Sequence, residues 1–122
     1  MSAAALSEAD LRFVNLVASR RFHGVDPAPP GDVAAVLIAA ERATAFERAA
    51  ALARELLQRG VFATAAAETA LLAMLCRLAA DGYDLVAPQG AVVGMVRGLA
   101  EGSVDERTVA RWLQDRAVPR AA

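Results

Sequence analysis

Few side chains in this chain could do chemistry, and they are scattered. His23 is the one histidine and Cys76 the one cysteine. A histidine that titrates near neutral pH can act as a general base. His23, however, lies beside the Pro-rich run Pro27–Pro30 and reads as a loop residue. Cys76 falls on an apolar helical stretch with no cation placed to favour a thiolate, so it is expected to be a buried, inert thiol. One histidine and one cysteine make no metal-ligand set, and no cofactor or metal is expected. Trp112 is expected in the core, and Tyr83 is expected to pack with its hydroxyl wet.

The elements that would carry these residues are helices. Ser7 and Asp10 have capping-box spacing, ahead of a helix over Leu11–Arg21. Phe22–Gly31 reads as a loop. Asp32 caps a second helix, Val33–Arg42, whose Val33, Val36, Leu37 and Ala40 share one face. A third helix covers Ala45–Gln58, with Glu47, Arg48, Arg54, Glu55 and Gln58 toward water. After a break at Gly60–Phe62, Thr64–Asp81 is the longest helix. It is apolar over most of its circumference, so it is expected at the centre, wrapped by the others. Gly82 ends it. Tyr83–Gln89 is a connector. Gly90–Glu101 is a fifth helix, and Val104–Arg116 a sixth, with Ser103 and Glu106 as its capping box. No segment alternates like a strand. The expected fold is all-α: one domain over residues 1–122, a compact bundle of about six helices, with residues 1–6 disordered.

Composition narrows the function. The formal charge is −1 over 122 residues, with every cation an arginine. No global basic field favours nucleic acid or an anionic membrane. No apolar run reaches the length of a membrane span; the longest, Val86–Met95, is broken by Pro88, Gln89, Gly90 and Gly94. Residues 1–10 lack signal-peptide character, and a lone cysteine fits a reducing compartment. The expected location is the cytoplasm, with no membrane partner.

Several strings resemble the Fic/Doc (death-on-curing toxin) family. Thr69–Tyr83 is similar to the family's long helix and its "NGY"-type stop. Gly98–Val104 and Val109–Leu113 match its last helix pair, and Arg42–Phe46 its "RPQATF"-like segment. The resemblance spans nearly the whole chain and implies the Fic/Doc fold. The family's active motif, H-P-F-x-D-G-N-K-R-T, falls without gaps on Gly60–Thr69. Only Phe62 and Thr69 agree with it.

The departures fall on chemistry. The resemblance implies a general base at Gly60, which has no side chain; such a loss typically costs about 10²–10⁴ in rate. The metal-holding acid is Thr64, a poor ligand for Mg²⁺. The Gly-Asn anion nest is Ala65–Ala66, where a tight phosphate-wrapping turn is not expected without glycine. The cationic pair is Ala67–Glu68, and Glu68 would repel a phosphate by about 4 kcal/mol at 4 Å in an effective dielectric near 20. The family's target-clamping flap has no room, because Phe46 runs straight into the third helix. The expected function is therefore that of a catalytically inactive Fic/Doc-fold protein, bacterial or phage, that binds another protein. By analogy with the family, the partner is an antitoxin-like helix or a second copy.

Two alternatives stand beside this reading. Residues 99–113 are similar to a helix-turn-helix DNA reader, with Arg107 and Arg111 as contacts; the acids Glu101, Asp105, Glu106 and Asp115 oppose it. The other alternative is an active Doc-like toxin that transfers phosphate or nucleotide to a protein hydroxyl at a different site.

Overall fold

The computed structural model describes residues 6–121. Helix α1 (Glu8–Ala18) starts at the expected capping box. Ser7 Oγ accepts from the Asp10 amide at 3.1 Å, and the Asp10 carboxylate accepts from the Ser7 amide at 2.9 Å. The chain does not stay α-helical to Arg21. It loosens into a π-helical turn, Ser19–His23, and stops at Gly24 in the left-handed conformation. Phe22 therefore belongs to this turn and not to a loop. The disorder expected for residues 1–6 concerns residues 1–5, which lie outside the described residues, and Leu6, which instead packs against the core.

Helix α2 (Val33–Ala39) is capped by Asp32 as expected but ends three residues early. Arg42 leaves the helix to cap it: its Nη1 donates to the carbonyls of Ala39 and Glu41 at 2.8 and 2.7 Å. Helix α3 (Ala45–Arg59) opens on a capping box of Thr44 and Glu47. Helix α4 (Ala66–Ala80), helix α5 (Gln89–Glu101) and helix α6 (Glu106–Arg116) complete an all-α bundle of six helices.

The centre of the bundle is the α3–α4 pair, with α4 packed against α1, α3, α5 and the segment Tyr83–Leu85, and α3 the more deeply buried of the two. Ala49, Ala50, Ala51 and Ala53 are all fully buried, so α3 is packed on nearly every side, against α2, α4, α5 and α6. Alanine lets neighbouring backbones approach closely, whereas a leucine-rich helix only shows that its surface wants cover. Glu55, expected in water, is buried between Arg54 and Arg59 at 2.8 and 2.7 Å. Arg42 clasps Glu106 with two bonds, 2.9 and 3.2 Å, tying the α2–α3 connection to α6. Such bidentate, charge-assisted pairs fix geometry as well as adding energy.

A short antiparallel ribbon departs from the expected absence of strands. Strand β1 (Tyr83–Leu85) pairs with strand β2 (Ala117–Pro119), Tyr83 opposite Pro119. Three residues are too few to show alternation, and the pairing joins segments far apart in sequence. Phe46 packs on Tyr83 with ring centroids 4.9 Å apart, which agrees with Tyr83 as a packing residue. Trp112 is half-buried, with the Arg116 guanidinium 4.9 Å from its ring centroid.

The α5–α6 corner is also built differently from the expected Ser103–Glu106 box. Asp105 is the cap, accepting from the Thr108 amide at 2.8 Å, while Ser103 Oγ donates back to the Gly98 carbonyl. Gly98 is where the corner closes on α5. A Cβ there would lie 2.5 Å from Val104 Cγ2, and β-branched valine has little rotamer freedom to yield. Gly98→Ala is expected to cost about 1–3 kcal/mol in urea unfolding, with Val104→Ala recovering part of the loss in the double variant.

Hydrogen bonding within the caps holds the carboxyls of Asp10 and Asp105 below the ordinary value. For Asp10 the Ser7 amide leads; for Asp105 the Thr108 side chain leads, then the Thr108 amide, with small help from Arg107 and Arg111. A carboxyl with a lowered folded-state pKa contributes stability that is present above its unfolded pKa and is lost as pH falls through the folded one. Thermal melts taken from about pH 5 to pH 2 are expected to decline less steeply in the Asp10→Asn, Asp105→Asn double variant.

Candidate functional site

The segment Gly60–Thr69 is a turn that leads into α4, and several of its residues have a structural task. Gly60 ends α3 at φ +59°. Phe62 is buried in the core. Thr64 stitches two loops together: its hydroxyl accepts from the Ala28 amide at 3.1 Å and its carbonyl accepts from Asn15 Nδ2 at 2.8 Å. Asn15 also donates to the buried Thr69 hydroxyl at 2.9 Å. This asparagine, not singled out in the sequence, organises the whole turn; its polar identity at a core position of α1 was the available signal.

Ala65 is the informative position. It lies at φ +54°, the only non-glycine left-handed residue among those described. Left-handed backbone costs an L-residue about 1–2 kcal/mol. Alanine thus adopts here the backbone conformation that glycine takes more readily. Ala65→Gly is expected to stabilise the protein by about 1 kcal/mol, read as a higher urea midpoint at unchanged slope.

Ala66 is the first residue of α4, which has no side-chain cap. Glu68, one turn in, does not stand alone. The His23 Nε2 lies 3.1 Å from its Oε2, both side chains part-exposed. The structure thus brings the single histidine to the start of α4, as a partner of Glu68. Among the described residues, no three His, Cys, Asp or Glu side chains converge as a metal site would require.

Beside this turn runs an apolar groove of about 390 Å³. Leu71, Leu72 and Leu75 of α4 form one wall, and Leu85, Val92 and Val93 the other. Phe22 closes the end nearest Glu68, the one charged residue of the lining. Phe22 itself is 53% exposed. Cys76, expected to be buried, is exposed on α4, outside the lining of the groove. Partial desolvation pushes its thiol pKa up, and the negative charge of Asp10 adds to this, so the inert reading stands although the buried one does not. The two surprises have one cause: α4 is apolar all round, but its neighbours cover only part of it.

The third candidate surface is the outer face of α6. Arg107 and Arg111 are exposed one turn apart and line a shallow depression with Thr44, Glu47 and Gln114. The structure does not bring them together with the groove residues. No helix is long and apolar enough to cross a membrane among the described residues. Compared with protein-family models, curated protein sequences and solved structures, the chain matches none.

Proposed function

We propose that the chain is a catalytically silent protein of Fic/Doc type that acts by holding an amphipathic helix of a partner protein in the α4–α5 groove. The half-covered apolar flank of α4 carries this reading. A helix that is hydrophobic on all sides belongs inside a core, and in α4 the side formed by Leu71, Leu72 and Leu75 has only a groove against it. Leucines and valines spaced along two neighbouring helices are what a third helix needs to seat its i, i+3, i+4 and i+7 side chains. Glu68 at one end favours a partner helix with a cation at the matching position.

The left-handed backbone at Ala65, where the resemblance places the family's glycine, supports that resemblance. The tasks held by Gly60, Thr64 and Thr69 support the silent reading, because each has become a strut. By analogy with the family, the partner is an antitoxin-like helix, and the chain serves in a toxin–antitoxin setting in the cytoplasm.

A tagged wild-type chain and a Leu72→Glu, Leu75→Glu variant, each recovered from the native cell, test this. A single stoichiometric protein held by the wild type and released by the variant is the expected result. Self-association in place of that partner, or transfer of phosphate or nucleotide onto it, would contradict the reading. The exposed Arg107–Arg111 pair favours a second reading, DNA binding through α6. It predicts recovery of duplex DNA that is lost on Arg107→Ala, Arg111→Ala and weakens steeply with salt.

A further inference from the structure

The turn that follows α1 shapes one end of the α4–α5 groove. Continued as α-helix, Phe22 would fall on the face of Leu11 and Asn15, both buried. The π-helical turn Ser19–His23 is wider than an α-turn, a distortion frequent at functional sites. It leaves Phe22 to line the groove and sets His23 Nε2 3.1 Å from Glu68 Oε2. Left-handed Gly24 closes the turn, its amide donating to the carbonyls of Arg20 and Ser19.

Glu68 is the one charged residue of the groove's lining, and the chain's only histidine stands against it. An ionised carboxylate only accepts hydrogen bonds, so Nε2 is the donor whether the ring is neutral or cationic. The contact survives in both states, but the charge does not. With a neutral ring the groove ends in an uncompensated carboxylate. With a cationic ring it ends in a neutralised pair. Histidine is the side chain whose charge ordinarily changes between about pH 5 and pH 8. The charges nearby do not take over this role. On the turn itself, Arg20 is tied to Asp26 at 2.8 Å, and exposed Arg21 lies outside the groove's lining. On α4, Glu68 is the acid within ion-pair distance of the ring.

We propose that His23 sets the charge preference of the groove, which favours an apolar ligand bearing a cation while the ring is neutral and loses that preference once the ring is protonated. The inference rests on the groove being a binding site and adds the control of its selectivity. A partner helix with a cation at the Glu68 end is held less tightly as pH falls.

Hexylammonium and hexanol, alike in their apolar body, test it when titrated into the full chain at about pH 5.5 and about pH 8.5, on either side of histidine's usual range. An alkylammonium stays charged throughout. Amide chemical shifts of the groove residues report binding. At the higher pH hexylammonium is expected to bind about threefold more tightly than hexanol or better, in keeping with a part-exposed ion pair; at the lower pH the two are expected to bind alike. His23→Gln, which can still donate to Glu68, is expected to keep the preference at both pH values. Glu68→Gln is expected to abolish it at the higher pH. Both side chains are part-exposed, and an unchanged hexanol affinity shows that the groove of each variant is intact. A preference indifferent to pH in the wild type, one that still varies with pH in His23→Gln, or one that survives Glu68→Gln would overturn the proposal and leave the groove standing as a binding site. Binding of neither probe would overturn both.

Discussion

Asn15→Leu is expected to destabilise the protein by about 3 kcal/mol, the largest loss from any single polar side chain. Asn15 is 3% exposed and donates to two acceptors, the part-buried Thr64 carbonyl and the buried Thr69 hydroxyl. Leucine is close in volume, so the loss comes from stranded polar groups and not from a cavity. Each stranded group costs about 1–3 kcal/mol. Thr69→Val alone is expected to cost less, about 1 kcal/mol, because Asn15 keeps its bond to Thr64. The double variant should then be less destabilised than the sum of the singles, since Thr69 no longer strands a hydroxyl when Asn15 is gone. Urea unfolding of the four proteins measures this. Strict additivity would mean that the two side chains are not coupled and that something else sets the turn at Ala65.

Leu72→Glu, Leu75→Glu carries the largest expected effect on binding, a loss of at least about 100-fold in partner affinity, or about 2.8 kcal/mol at 1.4 kcal/mol per tenfold. Both leucines line the groove and are half-buried in the free chain. Glutamates there can turn to water while the groove is empty, so folding is expected to change little. Once a helix covers the groove, each carboxylate is desolvated without a partner, which is costlier than the loss of the leucine contacts alone. The expected signature is lost binding at a nearly unchanged melting temperature. An equal fall in both would show that the leucines are ordinary core residues.

The number and order of helices were legible in the sequence because caps and breakers are local. Ser7, Asp32, Gly82 and Gly102 each act within a turn of their own position, and each does so in the structure. What was not legible depends on residues far apart. Arg42 ends α2 early while clasping Glu106, 64 positions away. The ribbon pairs Tyr83 with Pro119. That α3 shares the centre with α4 turns on how closely neighbours approach an alanine surface, and hydropathy, which ranks leucine above alanine, pointed to α4 alone. At the site, the absence of a base and of a metal-holding acid at Gly60 and Thr64 was plain from residue types, whereas the left-handed backbone at Ala65 was not. A backbone held by Asn15 and Thr64 can impose φ +54° on a residue that would not choose it. The groove was half visible: the excess of leucine on α4 showed that cover was wanted, but not that part of the flank would be left open.

A photo-crosslinking residue placed at Phe22, where the groove ends, tests the central claim most directly, with the same residue at Ile38, which is 74% exposed outside the groove, as the control. After irradiation in the native cell, position 22 is predicted to capture one protein partner through an amphipathic helical segment, and position 38 to capture none. Crosslinks from position 22 to a second copy of the chain alone, or the same products from both positions, would contradict it.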